Sequence, residues 1–106
     1  MSKYLFHINY VGEGLKGLLN DGGSKRRAVT EKLFKSLGGT LDAFYFAFGD
    51  TDVYIIGDFP DNVSVAAGSL AASATGGVAV KTTVLLTPEE IDQASKKTPT
   101  YSPPGQ

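Results

Sequence analysis

The sequence predicts an α+β fold, with elements in the order βαββαβ and a four-stranded antiparallel sheet carrying its helices on one face. Three observations predict it. Tyr4 to Tyr10 is rich in aromatic and β-branched residues, with polar residues alternating in its later half, the period of a pleated strand. Val29, Leu33 and Leu37 form an i, i+4, i+8 stripe with Ala28 and Phe34 beside it, the period of an amphipathic helix. Gly49-Asp50 then separates two strand-like runs, as a hairpin turn does. Strand–helix–strand occurs twice around that hairpin, and right-handed crossovers put both long helices on the same side of the sheet.

Taken in order, the first strand ends at Val11-Gly12-Glu13-Gly14, and Leu15, Leu18 and Leu19 follow at helical spacing until Asn20-Asp21-Gly22-Gly23 interrupts. Ser24 restarts the helix as an expected N-cap, its hydroxyl accepting from a free first-turn N–H. Gly38-Gly39 stops it, because glycine takes the left-handed cap conformation without a Cβ penalty. Thr40 to Phe48 reads as the second strand and Asp52 to Phe59 as the third, closed by Pro60. Asp61 or Asn62 caps a helix reaching about Ala74, whose small residues (among them Ala67, Gly68, Ala71 and Ala72) suit a close approach to the sheet. Val78 to Leu86 forms the fourth strand. Thr87-Pro88-Glu89-Glu90 then opens a short last helix, with proline at the first position and acids at the positive end of the dipole. Residues 1–96 are expected to make one domain, and the proline-rich stretch 97–106 a tail.

Helices on one side leave the other face of the sheet bare, where a monomer would be polar. The second strand does not comply. Phe44, Phe46 and Phe48 are expected on one side and Leu41, Ala43, Tyr45 and Ala47 on the other, so both sides are apolar. The fourth strand likewise divides into Val78, Val80, Val84 and Leu86 against Ala79 and Leu85. Large apolar side chains are worth roughly 1.5–3 kcal/mol each when fully buried, which predicts a second copy laid over the open face, a homodimer or larger homo-oligomer.

Composition excludes several functions. With 106 residues, 42% hydrophobic and 20% charged, the chain has the core of a folded domain and not the profile of a disordered one. A net charge of −1 gives no field to gather nucleic acid or an anionic membrane surface, so neither partner is expected. Cysteine is absent, which removes disulfides, thiolate nucleophiles and thiolate metal sites. That absence, together with an alternating Met1–Tyr10 unlike a signal peptide and no apolar run of bilayer length, makes the expected location cytoplasmic.

No catalytic signature stands out, and no catalytic residue, metal ligand or cofactor is assigned. His7 is the only histidine, so a histidine-rich metal site cannot be assembled in one chain. Gly12-x-Gly14 lacks the third glycine of a dinucleotide fingerprint and the lysine of a phosphate loop, leaving a turn. Lys25-Arg26-Arg27 reads as a solvated helix face. The residues expected to meet a ligand on the open face are His7, Asp42, Tyr45, Tyr54 and Lys81, since polar groups among apolar strand residues must be paired or line a wet pocket. A two-residue turn at Gly49-Asp50 would put Tyr45, Tyr54, Asp52 and Asp58 on one face, opposite Phe44, Phe46, Val53 and Ile55. Asp52, beside the turn, is expected to accept turn N–H groups.

The run Lys35-Ser36-Leu37-Gly38-Gly39-Thr40-Leu41, then Phe44-Tyr45-Phe46, Gly49-Asp50-Thr51-Asp52-Val53 and Phe59-Pro60-Asp61, resembles the GYD domain family of small bacterial and archaeal proteins. The likeness extends from about Tyr4 to Glu90. Thr51 stands where that family's motif has tyrosine, while Gly49 and Asp52 are retained. The resemblance implies a ferredoxin-like subunit that pairs into a dimeric α+β barrel. The superfamily around it includes monooxygenases, isomerases, haem-handling proteins and binding modules, so the likeness does not choose a reaction. Three readings follow: a homo-oligomeric module binding a small apolar or aromatic molecule between the sheets; a cofactor-free oxygenase or isomerase using His7 and the strand tyrosines; and a purely structural or interaction module.

Overall fold

The computed structural model describes residues 1–106. Its elements are β1 (Ser2–Tyr10), α1 (Gly14–Asp21), α2 (Gly23–Ser36), β2 (Thr40–Phe46), β3 (Val53–Phe59), α3 (Asn62–Ala74), β4 (Val78–Leu85) and α4 (Pro88–Ser95). The class is α+β as expected, with one four-stranded sheet in the order β2-β3-β1-β4 and every pairing antiparallel. The order is not a plain βαββαβ, because the first crossover holds two helices and a further helix follows β4. Gly22 separates α1 from α2 at φ 82°, and its N–H closes α1 on the Leu18 carbonyl 2.7 Å away. This corrects Ser24, which lies inside α2; the N-cap is Gly22, and no side chain caps that end.

Both long helices pack on one face. The core is Tyr4 and Phe6 of β1, Val53, Ile55 and Phe59 of β3, Phe34 of α2 and Val65 of α3. Phe59 is its hub, with ring centroids 4.7 Å from Phe34, 5.9 Å from Phe6 and 6.0 Å from Tyr4, all at steep interplanar angles. Edge-to-face pairs of this kind contribute about 0.5–1.5 kcal/mol beyond their buried area. The Tyr4 hydroxyl donates to Asn62 Oδ1 at 2.6 Å, satisfying the one polar atom that this ring brings into the core.

Two sequence expectations about β2 need correction. The hairpin turn is not two residues long: Phe46 pairs with Val53, and Ala47 to Asp52 lie between the strands. Phe48 is therefore in the loop, fully exposed, and not on a strand face. The register also shifts between Leu41 and Ala43. One extra residue, Asp42, reverses the alternation, so Leu41 lies opposite Gly57 on the helix side, while Ala43 and Tyr45 stay on the open side.

Gly14 is explained by crowding. A Cβ there would sit 1.9 Å from the Gly77 carbonyl oxygen, where the turn after β1 crosses the turn before β4 and Val11 N–H donates to that carbonyl at 3.0 Å. Asp61 caps α3, accepting from Ser64 N–H at 2.8 Å, and that bond holds its carboxyl below the ordinary value. Thr87 and Glu90 complete a reciprocal capping box on α4, at 3.1 and 2.9 Å. No residue from Leu86 to Gln106 is buried. No helix is long and apolar enough to cross a membrane.

Candidate functional site

Directly opposed residues of antiparallel strands share a face, so the register gives the composition of the open side. Tyr45 lies opposite Tyr54, Tyr54 opposite His7, and His7 opposite Lys81, making one row across all four strands. The next row is Ala43, Ile56, Leu5 and Thr83. The third is Thr40, Asp58, Lys3 and Leu85. Four of the five residues expected to meet a ligand thus come together. The His7 and Tyr54 rings meet edge to face with centroids 5.2 Å apart, and Tyr45 at the sheet edge is 71% exposed.

Asp42 is not part of that row. At the bulge it accepts from Lys3 Nζ at 2.7 Å, and the same ammonium donates to Asp58 at 3.0 Å. Hydrogen bonds to Asp42 first and Asp58 second raise the Lys3 pKa above its ordinary 10.5. Two carboxylates around one ammonium make an ion-pair network at the far end of the face. Lys3 was missed in the sequence because its partners are 39 and 55 residues away.

Asp52 joins β1 to the hairpin loop. Its carboxylate accepts from Tyr10 N–H at 2.9 Å, and its own N–H is shared between Asn9 Oδ1 at 2.9 Å and the Ile8 carbonyl at 3.1 Å. The expected acceptor role is present, with the donor on a neighbouring strand and not in the turn. Gly49 has open space around its Cα and a φ outside the left-handed region, so neither crowding nor backbone geometry requires glycine there. No three His, Asp or Glu side chains converge where they could hold a metal ion.

A family model described as GYD domain matches residues 4–95. The chain belongs to the GYD domain family. The match runs from near the start of β1 to the end of α4, so the GYD domain takes in the exposed last helix as well as the sheet and its cover. Neither the curated proteins nor the solved structures give a match. In this GYD domain Thr51 is half-buried in the loop beside Asp52.

A second feature of this GYD domain lies on the other side of the sheet and was missed from sequence. Between α2, α3 and the strands is a cavity of about 110 Å³, bounded by Leu33 and Leu37 of α2, Ser69 and Ala72 of α3, and Ile8 and Val80 below. Tyr10, Arg26, Thr30 and Ser69 bring its polar groups. The signal was the small-residue face of α3, read as a means of close approach. Gly68 does meet Leu37, a Cβ there falling 3.0 Å from Leu37 Cδ1, yet one turn on, the short side chains leave space unfilled.

Proposed function

We propose that this GYD domain protein is a homodimer or larger homo-oligomer whose subunits meet sheet to sheet, and that it binds a small apolar or aromatic molecule between the sheets. The observation that carries this reading is the row Tyr45, Tyr54, His7 and Lys81, flanked by the apolar row Ala43, Ile56 and Leu5 on a face that no helix covers. Rings and a cation held side by side suit an aromatic or polarisable guest, which gains apolar contact and an oriented polar partner together.

The chain is more open than its mass requires. The chain exposes 7447 Å². A compact monomer of this mass, 11.2 kDa, exposes about 5,700 Å² by the usual scaling. Part of the excess is the exposed arm after β4, which also lifts the radius of gyration to 16.9 Å where about 13 Å is usual. A standard interface takes roughly 800 Å² from each side, which the open sheet face would have to supply. Lack of cysteine favours a reducing, cytoplasmic setting.

A second reading keeps the same face but makes it catalytic, with His7 as general base and the tyrosines positioning a substrate for cofactor-free oxygenation or isomerisation. His7 on the open face, neither under the helices nor free of neighbours, favours keeping it. Light scattering behind size exclusion tests the shared premise: a mass of at least twice 11.2 kDa at micromolar concentration is expected, and a monomer overturns both readings. Turnover of an aromatic substrate that His7→Gln abolishes without loss of binding would select the catalytic one.

A further inference from the structure

We propose that the cavity between the long helices and the sheet is a ligand site separate from the open face, and that it takes a single-ring aromatic carboxylate. Size comes first. An engineered cavity of about 150 Å³ lined by Leu, Ile and Phe stays dry and binds benzene. The cavity here is about 110 Å³, and 15 of its 19 lining residues are hydrophobic, so water gains few partners inside and a ring gains apolar contact with its walls.

Shape follows from α3. Val65 is buried in the core, but the inward residues of the following turns are Gly68, Ser69 and Ala72. They are too short to reach across to Leu33 and Val29 of α2. The neighbouring large side chains Phe34 and Phe59 are already held in the aromatic cluster and cannot swing in to fill the space.

The carboxylate is assigned by charge. Arg26 is among the lining residues, and its Nη1 lies 3.4 Å from Asp21 Oδ2. Lys25 takes the other oxygen of the same carboxylate at 3.5 Å. Two cations on one anion leave a surplus positive charge, and the guanidinium keeps N–H groups beyond the one directed at Asp21. Tyr10 stands beside Arg26, within hydrogen-bond reach of it, and its phenolic O–H is a further donor; burial raises its pKa above the ordinary 10.0 against the opposing pull of Arg26. An anionic head at Arg26 and Tyr10 with the ring pointing toward Val80 and Leu37 matches the cationic mouth and the apolar walls.

The site is made by one subunit and does not depend on sheet-to-sheet association. The experiment uses the full chain with toluene and benzoate as probes, followed by saturable amide chemical-shift changes. Both should perturb residues lining the cavity, benzoate binding more tightly. Arg26→Leu should weaken benzoate by about tenfold or more, the worth of one charge-assisted hydrogen bond, and leave toluene nearly unchanged. Ala72→Leu should remove both; Ser69→Val provides a second filled variant, and far-UV circular dichroism shows whether each is folded. Absence of saturable toluene binding, or its persistence in a folded filled variant, overturns the site. Benzoate affinity unaffected by Arg26→Leu overturns the carboxylate assignment. Probe binding that persists on dilution to monomer separates this site from one between the sheets.

Discussion

Ile56 is the residue at which to break the proposed assembly. It stands in the middle of the open face, opposite Leu5 on β1 and Ala43 on β2, with its side chain directed away from the Phe59 cluster. Aspartate at this place removes an apolar side chain and adds a charge too short to reach water past a partner. Burial of an Ile is worth roughly 1.5–3 kcal/mol, and a two-fold interface contains the substitution twice, giving about 3–6 kcal/mol. Ile56 is already half-covered in the monomer, so the lower end applies, about a hundredfold in the dissociation constant. Sedimentation equilibrium over a concentration series measures it, with the near-ultraviolet signal of the Tyr4–Phe59 contact as the check on the subunit. A folded Ile56→Asp protein that associates as tightly as the parent would refute the assignment of this face.

Three further predictions concern the subunit itself. Phe59→Ala, at 1% exposure and with three aromatic neighbours, should lose about 3–5 kcal/mol in urea unfolding, enough to leave little folded protein at ordinary temperature. Asp52→Ala should cost about 1–3 kcal/mol by leaving the Tyr10 N–H without its acceptor, whereas Asp52→Asn, which keeps an oxygen there, should cost clearly less; equal losses would mean the bond is not what Asp52 contributes. Stability should fall on the alkaline side. Lys3 and Tyr10 hold their protons more tightly folded than unfolded, so unfolding releases protons and is favoured as pH rises past their ordinary values of 10.5 and 10.0. Thermal midpoints of Lys3→Met and Tyr10→Phe should each decline less steeply with pH than those of the parent.

What the sequence disclosed and what it withheld follow the range of the interactions. The caps of α3 and α4 were legible because Asp61 bonds Ser64 and Thr87 bonds Glu90 within a single turn. The strands were legible because alternation is a property of consecutive residues. Asp52 was half legible: its character as an acceptor shows in the sequence, but its donor, Tyr10, is 42 residues distant and only the pairing of β1 with β3 brings it near. The row of His7, Tyr45, Tyr54 and Lys81 combines three registers, and no single stretch of chain contains that information. The cavity was hidden for another reason. Gly68, Ser69 and Ala72 are as compatible with a helix pressed onto its neighbours as with one standing off, and the distance between α2 and α3 decides which.

The bulge at Asp42 ties these observations together. In an unbroken β2, Asp42 would share the side of Phe44 and Phe46 and turn toward the aromatic core, where an unpaired carboxylate is costly, while Leu41 would be turned outward. The extra residue exchanges them: Leu41 reaches the core cluster, and the carboxylate comes within 2.7 Å of Lys3. The same irregularity leaves Ala43 and Tyr45 on the open side in line with Ile56 and Tyr54. One end of that face is thereby charged, with two carboxylates sharing the Lys3 ammonium, while the middle is apolar and the other end carries the rings and Lys81. A second copy or a ring-bearing ligand would therefore find its contact area at the His7 row, away from the Lys3 network, which is why the aromatic row and not the ion pairs is the place to look for function.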